Sequence, residues 1–157
     1  MTIAPITTDR LLLRPYYAGM VTDDHVRWLN DPEVVRFSEQ RHKVHTIESI
    51  HQYVNDIACD PNSYLWGIYL AKWHEEKPDG RLVCPLLGTF TAHIDRPNGV
   101  ANLGILIGER AFWGKGLGSD AWNAVCNWLF DKQDIRKIEM GCHYENRAMR
   151  NLAKPAA

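Results

Sequence analysis

The chain contains no apolar run approaching the roughly 20 residues of a membrane-spanning helix. Its first eight residues have no basic stretch followed by an apolar core, so no secretory leader is expected and the location reads as cytoplasmic. An excess of one charge is also missing. The net charge is -1, with no basic block, which argues against non-specific nucleic-acid binding. Four cysteines, Cys59, Cys84, Cys126 and Cys142, form no Cys-x-x-Cys, so neither a zinc site nor a disulfide framework is expected. They read as buried thiols of a reducing compartment. His42 and His45 lack the further ligands of a metal site. There is no internal repeat and no low-complexity segment. What remains is an ordinary globular composition, 45% hydrophobic and 24% charged over 157 residues, enough for one domain spanning 1–157.

Residues 10–14, closed by Pro15, read as a first strand, and 23–30 as a short helix stopped by Asp31-Pro32. Thr46 caps a second helix in which Ile47, Ile50, Val54 and Ile57 recur at helical spacing until Asp60-Pro61-Asn62. Three strands are expected at 64–71, 84–94 and 100–108. A polar hairpin loop over 72–81 and the turn Arg96-Pro97-Asn98-Gly99 separate them, which makes an antiparallel meander. The period then changes. Trp122, Val125, Cys126, Leu129 and Phe130 share one helical face, giving a helix from about 119 to 132. Residues 135–142 read as a strand parallel to 100–108, because it follows a strand-helix unit. A last helix covers 146–152. The fold class is α+β: an antiparallel meander leading to a parallel pair, with helices on both faces.

The chemistry concentrates in Trp113-Gly114-Lys115-Gly116-Leu117-Gly118-Ser119, at a strand-to-helix junction. Glycine permits positive φ and close approach of the backbone to a ligand. The first amides of a helix have no internal partner, and the helix dipole is positive there. Together they suit a pyrophosphate, with Arg110 and Lys115 expected to add charge. A nucleoside-triphosphate loop would need Gly-Lys followed by Ser or Thr after a longer spacer, which is absent. A dinucleotide fingerprint would need Gly or Ala where Ser119 stands, and an antiparallel meander disagrees with a doubly wound sheet. A tight turn with no ligand is the remaining alternative.

Trp113-x-x-Gly116-x-Gly118 resembles the Gln/Arg-x-x-Gly-x-Gly/Ala pattern of the GNAT superfamily of N-acetyltransferases, with Trp at its first position. Three more stretches resemble the branch containing the ribosomal-protein N-terminal acetyltransferases. They are Thr8-Asp9-Arg10-Leu11-Leu12-Leu13-Arg14-Pro15, Trp28-Leu29-Asn30-Asp31-Pro32-Glu33-Val34, and Glu145-Asn146-Arg147-Ala148. The resemblance runs from Thr8 to Leu152. It implies acetyl-CoA as cofactor, CoA as product, and a V-shaped split between the strands at 100–108 and 135–142. Leu106, Ile107 and Gly108 would offer backbone groups to the pantetheine arm. The amides of Gly114, Lys115, Gly116, Leu117, Gly118 and Ser119 would hold the pyrophosphate beside Trp113, with Asn146 on the other wall.

The resemblance also implies transfer of the acetyl group to a primary amine, of a peptide N-terminus or a small molecule, by direct attack. The enzyme must juxtapose the two reactants, remove a proton and stabilise the oxyanion. Glu139 matches the place of a general base in related enzymes. Other members put a basic Glu where Asn102 stands; an amide cannot act as a base but can orient a water or the substrate. His93 and Tyr144 are further candidates. The family continues through two more strands, whereas this chain runs Asn151-Leu152-Ala153-Lys154-Pro155-Ala156-Ala157. The resemblance therefore implies a C-terminally shortened form. Either the chain is an incomplete version of a longer domain, or another chain, such as a second copy in a homo-oligomer, covers the edge where Ile135, Ile138 and Met140 would be exposed. A non-catalytic acyl-CoA-binding or interaction module of the same fold is the alternative function.

Overall fold

The computed structural model of the chain describes residues 3–72, 75–80 and 82–154. Strands Ile6–Thr7 (β1), Leu11–Pro15 (β2), Ser63–Leu70 (β3), Leu86–Asp95 (β6), Val100–Ile107 (β7) and Lys137–Glu139 (β8) form one sheet in the order β1-β2-β3-β6-β7-β8. All neighbours are antiparallel except β7 and β8, which are parallel. The expected loop at 72–81 carries a small ladder, Glu75–Glu76 (β4) against Leu82–Val83 (β5). Trp73, His74 and Arg81 of that expected loop lie outside the described residues.

Helices Asp23–Asn30 (α1) and Ile47–Cys59 (α2) cover one face, and Leu117–Lys132 (α3) covers the other. Thr46 caps α2 as expected. Its hydroxyl accepts from the Ser49 amide, and the Ser49 hydroxyl accepts from the Thr46 amide. A short helix, Arg147–Leu152 (α4), follows Asn146, whose side chain accepts from the Met149 amide at 3.2 Å.

Side-chain alternation divides the core in two. On the α3 face, Leu13, Trp66, Phe90, Ala92, Ala101 and Leu103 pack against Leu117, Trp122, Val125 and Leu129. Trp66 meets Phe90 and Trp128 edge-on, at ring distances of 6.1 and 5.4 Å. On the other face, Leu65, Tyr69 and Leu86 pack against Tyr16, Trp28, Ile50 and Val54. That second core reaches across β2, β3 and β6. The same face of β7, with Asn102, Gly104 and Leu106, stays outside it, so a groove opens there.

The strand expected over 135–142 is confined to Lys137–Glu139. Before it, Ile135 turns into the α3-side core, and the Arg136 and Lys137 amides donate to the Gly99 carbonyl at 2.8 and 3.2 Å. After Glu139 the chain leaves β7. The expectation of exposed Ile135, Ile138 and Met140 is corrected: Ile135 is 6% exposed, and the other two are partly buried against the same core. The helix expected from about 119 begins at Leu117. The expectation of buried cysteines is also corrected: Cys59 and Cys142 are exposed, and Cys84 and Cys126 are half-buried.

Candidate active site

Strand β8 pairs with β7 only through Val100↔Lys137, Ala101↔Ile138 and Asn102↔Glu139. From Leu103 to Ile107, β7 has no strand on that side among the described residues. The two chains diverge into a wedge with Gly104, Ile105, Leu106 and Ile107 on one wall. Gly141, Cys142, Asn146, Met149 and Leu152 stand on the other. A cleft of about 910 Å³ runs through this wedge and joins the glycine loop to the groove beside α1 and α2.

At the loop end, Gly114 and Gly116 have φ of 73° and 76°, where a Cβ is strained. Gly116 is the residue before α3, so the amides of Leu117, Gly118 and Ser119 start the helix without carbonyl partners inside it. All three residues line the cleft, as do Trp113, Gly114 and Gly116. The Trp113 indole donates to the Ile107 carbonyl at 2.7 Å, which fastens the loop to the end of β7.

Arg10 fixes the loop from behind, a role that the sequence did not suggest. Its guanidinium donates to the Lys115 and Gly116 carbonyls at 2.7 and 3.1 Å, and to Asp120 at 2.6 Å. Holding those carbonyls on one side leaves the amides for the other. The same contact offsets the one acidic charge in the first turn of α3, which would otherwise oppose an anion.

Of the two cations expected beside the loop, Arg110 is instead tied to both oxygens of Asp31, at 2.6 and 2.8 Å. Burial pushes the Asp31 carboxyl up, but the Glu33 amide and Arg110 outweigh this and hold it below the usual carboxylate range. Lys115 does not line the cleft; its ammonium lies 5.9 Å from the Phe112 ring centre.

Helix α1 is clamped over the exit of β7. A Cβ on Gly108 would come within 2.0 Å of the Trp28 indole, so only glycine permits this contact. Trp28 and Arg27 both donate to Glu109, at 2.9 and 2.6 Å. Among the residues proposed for the pantetheine arm, Leu106 and Ile107 line the cleft. The Gly108 amide is engaged by the Leu87 carbonyl at 2.9 Å.

His93, Asn102 and Glu139 stand in one row across β6, β7 and β8. All three are exposed and lie outside the cleft lining, two residues before Gly104, or about 7 Å along the strand. Glu139 pairs with Lys137 at 2.7 Å, and His93 Nδ1 lies 2.8 Å from the Ser63 hydroxyl. Tyr144 is 74% exposed and stacks on His143, which stacks on Phe37. That stack ties the segment after β8 to the segment between α1 and α2.

The groove end is lined by His25, Phe37, His45, Tyr53, Thr89 and Thr91, none of which the sequence had singled out for the site. His25 and Trp28, three residues apart on α1, were the available signal: both face inward on a helix otherwise rich in charge. Among the described residues no group of three or more His, Cys, Asp or Glu is placed to hold a metal ion, and no helix is long and apolar enough to cross a membrane.

A mixed sheet split between parallel strands, with a glycine loop opening a helix at the split, is the architecture of the acetyl-CoA-dependent acetyltransferase fold. The sequence profile of the acetyltransferase (GNAT) domain family matches residues 10–156, and the chain belongs to that family, whose cofactor is acetyl-CoA. No curated protein matches the chain in sequence.

Solved structures share the fold at low identity. The ribosomal alpha-N-protein acetyltransferase RimL, in complex with coenzyme A, is 17% identical with a TM-score of 0.79, over 96% of this chain and 81% of that one. The microcin self-immunity acetyltransferase MccE, in complex with acetyl-CoA and AMP, is 18% identical with a TM-score of 0.71, over 93% and 77%. A GNAT-family acetyltransferase from Bacillus anthracis is 19% identical with a TM-score of 0.69, over 96% and 82%.

Proposed function

We propose that this protein transfers the acetyl group of acetyl-CoA to a primary amine. The observation that carries the reading is the continuity of the cleft from the glycine loop, through the β7–β8 wedge, to the groove under α1 and α2. One end fits a pyrophosphate and the other is open to an acceptor, so the two reactants would meet in the wedge. RimL and MccE are acetyltransferases of the same fold.

In this reading the amides of Leu117, Gly118 and Ser119, with Gly114 and Gly116 shaping the turn, hold the pyrophosphate. The backbone of Leu106 and Ile107 runs beside the pantetheine arm, and Asn146 stands on the opposite wall. When bound, acetyl-CoA supplies an activated acetyl thioester. Glu139 takes the proton released by the amine through water, since its position at the rim is too far for direct transfer. Asn102 and His93, in the same row, orient that water. Tyr144, on the exposed segment after β8, is a further candidate in that proton path. The acceptor is an amine of a peptide N-terminus or a small molecule.

Turnover of acetyl-CoA against a panel of amines, followed by release of free thiol, tests the reading. Amine-dependent thiol release supports it. Tight acetyl-CoA binding with no release for any amine contradicts it.

A further inference from the structure

One buried polar pair in the groove has no part in the proton transfer described above. His25 lies on α1 and is 2% exposed, yet it lines the cleft. Its Nδ1 lies 2.9 Å from the hydroxyl of Tyr16, which is also 2% exposed. Its Nε2 has no hydrogen-bond partner among the described residues. Trp66 Nε1 is the one wholly enclosed side-chain nitrogen or oxygen there that lacks a partner, so His25 Nε2 must reach open space. The open space that His25 lines is the cleft, where Thr89, Thr91 and Gly104 also stand.

The pairing fixes which nitrogen carries the proton. Burial pushes the Tyr16 phenol above its ordinary value, so it keeps its hydrogen. The Nδ1 of His25 is the one acceptor for that hydrogen among the described residues, and a buried hydroxyl left without one would be costly. The Tyr16 O–H therefore donates to Nδ1, and the hydrogen of the neutral ring sits on Nε2. The ring stays neutral because burial, and then the neighbouring His45, lower its pKa to about 4. No carboxylate bonds to it among the described residues. His45 is itself bound through Nε2 to the Gln40 carbonyl at 3.0 Å.

We propose that the Tyr16–His25 pair presents a neutral N–H donor to the acceptor half of the cleft, where it holds an uncharged oxygen, carbonyl or hydroxyl, of the amine substrate. This rests on reading the groove as the acceptor's site. An N–H donor has nothing to offer the ammonium itself, so it selects for what stands beside the amine. A donor enclosed to this degree penalises a substrate that leaves it unpaired, which makes His25 a specificity-determining residue.

The test compares the full chain with His25→Phe and His25→Gln in acetyl-CoA turnover of glycinamide, ethanolamine and propylamine. The readout is the ratio of kcat/KM between wild type and variant, in which the differing basicity of the amines cancels. His25→Phe should lower kcat/KM about tenfold for glycinamide or ethanolamine, the scale of one hydrogen bond, raise it for propylamine, which no longer leaves a donor unpaired, and leave the KM for acetyl-CoA unchanged. His25→Gln, which retains an N–H donor, should recover part of the loss. Loss on glycinamide alone assigns a peptide-like carbonyl, and loss on ethanolamine alone a hydroxyl. Equal effects on all three amines, or none on any, overturn the proposal.

Absence of turnover with every amine sinks the acetyltransferase reading instead. The proposal is then judged by nitrogen NMR of the His25 ring in CoA-saturated protein. The hydrogen should be on Nε2 and should shift with glycinamide or ethanolamine but not with propylamine. A hydrogen on Nδ1, or no response to any amine, overturns it.

Discussion

The two ends of the cleft are built from different materials. The loop end is backbone: helix amides, two glycines at positive φ, and carbonyls held away by Arg10. The groove end is side chains, His25, Phe37, Tyr53, Thr89 and Thr91, drawn from three elements and one connecting segment. A backbone site tolerates change in most side chains and fails when the chain path is lost. A side-chain site keeps its path under substitution and changes what it accepts. The first end is therefore suited to a constant cofactor and the second to a variable acceptor.

The largest effect that would sharpen the contrast is electrostatic and belongs to the groove. His25 protonates at about 4 in the folded protein against an ordinary value of about 6.5. Between those values the unfolded chain takes up a proton that the folded chain refuses. Stability should thus be independent of His25 above pH 6.5 and fall as pH drops toward 4, by about 3 kcal/mol at most. Urea unfolding across pH measures this, and His25→Phe should flatten the slope in that window.

Next in size is Glu139→Gln. Under the proposed proton transfer, turnover should fall roughly 10²-fold while acetyl-CoA affinity stays the same. Steady-state kinetics beside calorimetry separates the two. Unchanged turnover across pH would move the base to another group of the row, His93 first.

At the loop end, Gly116→Val places a branched side chain at φ 76° with Arg10 3.3 Å from its Cβ. Acetyl-CoA affinity should drop at least tenfold, or roughly 1.4 kcal/mol. The smallest effect is that of Arg10→Met. It frees the Lys115 and Gly116 carbonyls but removes only half-exposed contacts, so affinity should fall about threefold with little change in Tm. Both are read by calorimetry on variants checked for folding.

The contrast also explains what could be read from the sequence. Thr46, the isoleucine spacing of α2 and the turn residues before β7 reported local structure, because caps and periodicity act over a few residues. The glycine loop was legible for the same reason: positive φ leaves a mark in residue type. Strand β8 was overextended, since Ile135 and Met140 are apolar for packing under α3 and not for pairing with β7. The roles of Arg10, 105 residues from Lys115, and of Tyr16 with His25 were not legible. Arg10 acts on distant backbone carbonyls and Tyr16 meets a side chain nine residues on, and both contacts depend on the folded chain path rather than on any local pattern of residue types.

Hydrogen exchange with and without saturating acetyl-CoA tests the central claim most directly, because it reads both ends of the cleft in one experiment. The account predicts slowed exchange in peptides covering 113–121 and 104–108, with the segment 31–46 unchanged by the cofactor alone. Unaltered exchange over 113–121 under saturating acetyl-CoA would contradict it.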